Sequence, residues 1–122
     1  MYAERHTVAL TTISAGTVTG YTPVITGRIK TVIYTKDDFA AGVDFTITVE
    51  GTGEGVWTEA NVNASTVRAP RQPTHSQVGV ASLYAAAGEP VEDHIVVAND
   101  RIKIVIAQGG DTKSGTFDVV VG

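Results

Sequence analysis

The chain of 122 residues contains no cysteine. A disulfide framework, a thiolate nucleophile and a cysteine-based zinc site are therefore excluded, and stability has to come from packing or assembly. Charge is sparse: 18% of residues are charged, the net charge is −4 and the pI is near 5.2. The basic residues are scattered between Arg5 and Lys113, so no positive field exists to neutralise a phosphate backbone, and nucleic acid is not an expected partner. No apolar run is long enough for a membrane span or a signal peptide, including the stretch that opens with Tyr2, Glu4, Arg5 and His6. The expectation is synthesis in the cytoplasm and no membrane partner.

The chemistry-bearing residue types are equally thin. His6, His75 and His94 are far apart and fall in no H-x-x-H or H-E-x-x-H spacing, so no metal site is expected. Ser76 beside His75 lacks the G-x-S-x-G turn and a carboxylate partner, and neighbours on a strand point apart. Gly51-x-Gly53-x-Gly55 lacks the Lys-Ser or Lys-Thr of a phosphate loop and predicts a hairpin or bulge. Asp37, Asp38 and Asp44 lack the Gly and Glu spacing of a calcium loop and predict ordinary turn hydrogen bonding. Asn63-Ala64-Ser65 fits a glycosylation sequon, but with no secretory signal it is a chance match. No catalytic residue and no cofactor is expected, and the chain does not read as an enzyme.

Apolar alternation is what the sequence does have. Hydrophobic residues make up 43% of a chain rich in Thr, Val and Gly, a composition suited to half-buried strands. Val8 and Leu10 share one parity within Thr7 to Ile13; Ile29, Thr31 and Ile33 alternate with Lys30, Val32 and Tyr34; Phe45, Ile47 and Val49 alternate with Thr46, Thr48 and Glu50. The strongest pattern is the last: Ile102, Ile104 and Ile106, a polar Gly-rich interruption from Gly109 to Gly115, then Phe117, Val119 and Val121. Period two places each triplet on one face of a strand. Sequence neighbourhood predicts that the two triplets pair as a closing hairpin, and that Arg28–Thr35 pairs with Asp44–Glu50 as another, with Phe39 buried in the turn between them. Trp57, on a short strand from Val56 to Thr58, is expected at the rim of the core, and Val78–Ala87 reads as a strand in preference to a short helix. The expectation is an all-β, antiparallel two-sheet β-sandwich, jelly-roll-like, forming a single domain over residues 1–122.

From Glu59 to Gln77 the alternation gives way to Asn61, Asn63, Pro70 and Pro73, which predicts a long loop awaiting a partner. Within it Arg68-Ala69-Pro70-Arg71-Gln72-Pro73-Thr74-His75 is the one locally basic segment. Arg68, Arg71 and His75 are the candidate partner-binding residues, since arginines on a stiff segment of an acidic protein can reach carboxylates on another chain.

Three phrases carry a resemblance: Lys36 to Phe45; Val62-Asn63-Ala64-Ser65 with Pro70 and Pro73-Thr74-His75; and Ala98 to Ile106 with Gly115-Thr116-Phe117. Together they resemble small virion structural proteins of tailed bacteriophages, and among these the capsid cement and decoration proteins. The resemblance implies a structural protein without catalytic residues that binds the major capsid protein on the capsid exterior and stabilises the shell. A homo-oligomer is expected, a dimer before a trimer, because exposed strand edges gain by pairing. The competing functions are a carbohydrate-binding module and a head-to-tail connector or tail component of the virion.

Overall fold

A computed structural model describes residues 3–122; Met1 and Tyr2, and with Tyr2 part of the N-terminal reading above, lie outside the described residues. The strands are β1 (Glu4–Thr11), β2 (Val18–Tyr21), β3 (Ile25–Lys36), β4 (Val43–Val49), β5 (Gly55–Val62), β6 (Thr66–Arg68), β7 (Arg71–Pro73), β8 (Glu92–Asp100), β9 (Ile102–Ala107) and β10 (Ser114–Val121). They form two antiparallel sheets. The first runs β1-β10-β3-β8-β7, with β6 also pairing β3, and the second runs β2-β9-β4-β5. From β1 to β4 and again from β8 to β10 the chain crosses to the other sheet at each step, so the sandwich is wound as a jelly roll.

This winding corrects both expected hairpins. β9 pairs β2 and β4, whereas β10 pairs β1 and β3. The isoleucine triplet and the Phe117, Val119, Val121 triplet therefore face one another across the interior instead of lying side by side. The same holds for β3 and β4, which belong to different sheets. Alternation specifies which side of a strand is apolar, and a strand buries that side equally well from either sheet. A hairpin does form where Gly51-x-Gly53-x-Gly55 predicts one: β4 pairs β5, Gly53 has φ +76°, and a register shift separates the Ile47–Trp57 pair from the Thr48–Gly55 pair.

The interior holds Ile29, Val32 and Tyr34 from β3, Phe45, Ile47 and Val49 from β4, all three isoleucines of β9, and Phe117 and Val119 from β10. Phe39 is buried, as expected for the turn between β3 and β4. Trp57 is only 6% exposed, so it belongs to the core and not to its rim. At the centre Tyr34 lies 4.7 Å from Phe45 and 5.1 Å from Phe117 between ring centroids, and Phe45 lies 5.2 Å from Trp57. The Tyr34 hydroxyl accompanies its ring into this cluster and has no hydrogen-bond partner among the described residues.

Burial, and secondarily the negative charge of Asp37, push the Tyr34 phenol up to about 12. An unfolded tyrosine loses its proton near pH 10. Between those values the unfolded state holds fewer protons than the folded state, so stability is complete below about pH 10 and falls as pH rises toward 12. Tyr34→Phe removes an unsatisfied buried hydroxyl while keeping the ring. It is expected to raise stability by about 1 kcal/mol at neutral pH and to flatten the alkaline decline. Thermal melts of both proteins across that pH range are the check; a lower melting temperature for Tyr34→Phe at pH 7 would mean that the hydroxyl has a partner.

Candidate functional site

Between Val62 and Ile95 the chain contributes no residue to the buried core. The stretch expected to be one long loop is partly strand: β5 continues to Val62 through Asn61 at φ 59°, β6 runs beside the middle of β3, and β7 pairs the beginning of β8. The prolines fit because Pro73 ends an edge strand and Pro70 stands between β6 and β7. At Val32 to Tyr34 the neighbour of β3 is β6, whereas at Ile25 to Ile29 it is β8. β7 and the start of β8 thus leave the side of β3 as a two-stranded ribbon, and residues 74–91 form its tip.

The tip is built by its own backbone. Ser82 N–H donates to Thr74 O, Thr74 N–H to Val91 O and Val91 N–H to Ser82 O, Ser76 N–H reaches Val80 O at 2.9 Å, and Tyr84 N–H reaches Glu89 O at 3.0 Å. Single bridges join His75 to Ala81 and Leu83 to Pro90. Val78–Ala87, expected as a strand, is therefore a folded-over turn system. From His75 through Glu89 every residue except Ser82 is exposed, among them Val78 at 85%, Val80 at 64%, Leu83 at 41% and Tyr84 at 76%. Large apolar side chains held in water on an ordered scaffold mark an interaction surface.

The sequence-derived candidates stand at the root of this arm and face different ways. Arg68 turns back toward the second sheet. Its Nε and Nη2 each donate to the Glu59 carboxylate at 3.0 Å, Nη1 donates to Thr66 Oγ1 at 2.6 Å, and the guanidinium lies 5.4 Å from the centre of the Trp57 ring. Trp57 Nε1 also donates to Glu59, at 3.0 Å. Donation from the indole, then from Arg68, holds the Glu59 carboxyl below the usual carboxylate range against the opposing effect of desolvation. Arg68 thus closes the edge of the sandwich over its only tryptophan. The signal available in the sequence was the i, i+2 spacing of Trp57 and Glu59, which puts both on one face of β5.

Arg71 is exposed, with Nη1 donating to the carbonyls of Pro70 at 2.8 Å and Lys30 at 3.3 Å. His75 is exposed at the base of the tip. Arg68→Ala is expected to lower stability by about 1 kcal/mol, combining a half-exposed bidentate pair with a cation–π contact. Arg68→Lys should recover little of it, because a lysine cannot make the planar two-point contact. Thermal unfolding of the two variants checks both statements.

The acidic residues set aside as turn formers behave as such. Asp38 accepts from Ser114 N–H at 2.6 Å, and Asp44 accepts from Asn61 N–H at 3.0 Å and Gln108 Nε2 at 3.1 Å. The sequon residues are structural too: Asn63 Oδ1 accepts from Gly42 N–H at 2.7 Å and Ser65 Oγ from Lys36 N–H at 2.9 Å. Among the described residues no group of three or more His, Asp or Glu side chains is placed to hold a metal ion. Nor, among the described residues, is any helix long and apolar enough to cross a membrane.

Neither a protein-family model nor a curated protein sequence matches the chain. Among solved structures it is similar to a chain from a structure described as that of the infectious bursal disease virus Gx strain. The TM-score is 0.35 and the identity 16%, over 98% of this chain and 32% of the other. The chain thus spans about a third of the length of the protein it matches.

Proposed function

We propose that this chain is a non-enzymatic virion structural protein, a cement or decoration protein that binds the outside of a shell of major capsid protein and stabilises it. The observation that carries the reading is the division of the chain into a filled jelly-roll body and a segment, residues 63–94, that contributes no residue to the buried core of that body. Ordering a segment of this length costs conformational entropy, and a purpose for it lies in contacts with other chains. The resemblance to phage virion proteins points the same way. Two of its phrases, Lys36–Phe45 and Ala98–Ile106, run into the adjacent strands β4 and β9, and the third opens the arm.

Attachment then falls to the exposed polar root of the arm, Arg71 and His75, with Arg68 holding the root on the body. Arg71→Glu together with His75→Glu should weaken binding to purified undecorated shells about tenfold or more if those groups meet carboxylates on the shell. Both side chains are exposed, so the melting temperature of the free protein should stay unchanged. Occupancy on shells, read by densitometry for wild type and double variant, is the test. Full occupancy by the variant would place attachment elsewhere on the surface.

A further inference from the structure

The apolar tip of the arm calls for a partner different from the one its polar root would take, and the same molecule carries a surface that fits it. On the outer face of the first sheet the register places Thr7, Asp118, Ile33 and Val67 in one row and Arg5, Val120 and Thr31 in the next. Thr7 Oγ1 donates to the Asp118 carboxylate, which is 9% exposed, so this charge is already satisfied. What remains outward is an apolar diagonal, Val120, Ile33 and Val67, with Val67 53% exposed and with Arg5 and Lys30 beside it. The arm is complementary in both respects. Residues 74–94 contain Glu89, Glu92 and Asp93 and no Lys or Arg, and they present Val78, Val80, Leu83 and Tyr84.

We infer that the tip of one copy lies across the outer face of the first sheet of a second copy, with arms exchanged reciprocally. The arm does not lie on the face of its own molecule, since its side chains stand in solvent. Area favours reciprocity. A stable pair uses about 20 to 30 residues on each side, more than the short tip supplies alone, whereas exchange gives each copy both an arm and a face. An exchange of identical elements about a two-fold axis closes on itself and leaves no tip free. This goes beyond the shell-binding reading and holds in free solution, so its failure and that of shell attachment are separately visible.

The absence of cysteine makes the test direct. Tyr84→Cys and Val67→Cys each place a single thiol, at an exposed position, on the arm and on the face. Under mild oxidation a disulfide-linked dimer is expected when the two variants are mixed, with little or none from either alone. Light scattering of the wild type at micromolar concentration should give twice the mass of the 12.8 kDa chain, and Leu83→Asp with Tyr84→Asp should return it to one. A monomeric wild type, a mixture without cross-linking, or equal cross-linking by Tyr84→Cys alone, which would indicate tip-to-tip contact, would each overturn the inference.

Discussion

Phe45→Ala is expected to lower stability by about 3 to 5 kcal/mol, the largest loss from any single truncation in this protein. Phe45 projects from the second sheet between Tyr34 and Phe117 of the first. Its ring meets both edge-on, at 4.7 and 4.9 Å between centroids, and meets Trp57 of its own sheet at 5.2 Å. Removing it opens a void that three other aromatic rings border. Those rings cannot collapse into it without leaving their own contacts, so the cavity penalty adds to the lost transfer energy. In a domain of this size the loss corresponds to roughly 10 to 20 °C in melting temperature. Thr48→Ala on the outward face of the same strand should change stability by less than about 0.5 kcal/mol. Denaturant unfolding of both variants gives the comparison; similar losses would mean that the sheets do not meet through Phe45.

Gly115→Val carries the second largest expected effect, and its sign opposes the usual preference. Valine is a better strand former than glycine, so propensity alone predicts stabilisation at this strand position, which pairs with Leu10 on one side and Lys36 on the other. A Cβ on Gly115, however, points at the buried ring of Phe39, about 2.6 Å from Cδ2 and closer still to Cε2. Phe39 is 1% exposed and stacks on Tyr34, so it has nowhere to move. Overpacking outweighs propensity, and a loss of about 3 kcal/mol is expected. In a Phe39→Ala background the same change should be tolerated, giving a coupling of about 2 kcal/mol in a double-mutant cycle. Additive losses would show that the ring is not the obstacle.

The alternation in β1, β4, β9 and β10 was enough to find each strand and its buried face, because period-two burial is a property of single strands; in β3 a register shift against β10 breaks the phase, so Ile29 is buried with Val32 and Tyr34 and not with Thr31 and Ile33. It was not enough to find partners. Ile104 and Val119 are both fully buried, as their parity demands, yet they lie in opposite sheets, since nothing within a strand encodes which sheet receives it. Arg68 illustrates a second gap. An arginine just ahead of a Pro-rich stretch reads as solvent-facing, and only the return of β6 to β3 brings it over Trp57 and beside Glu59. The tip was missed because Val78, Val80, Leu83 and Tyr84 follow no single period and are not buried, so a search for core faces passes over them.

The pairing of β1 with β10 bears on how the molecule comes into being. Glu4 stands opposite Val121, 117 positions later (121 − 4), and among the described residues β10 is the only ladder partner β1 has. β10 also lies inside its sheet, between β1 and β3, although it follows every other described strand in chain order. Until the eight residues of β10 have left the ribosomal tunnel, β1 and β3 have no bridge between them, and the edge that each offers to β10 is unpaired. Closure is therefore a late, single insertion of a strand into a waiting gap. Ladders of such long sequence separation place refolding in the millisecond-to-second range typical of β-sandwiches, and during that interval the unfilled slot is open to the β10 strand of another copy.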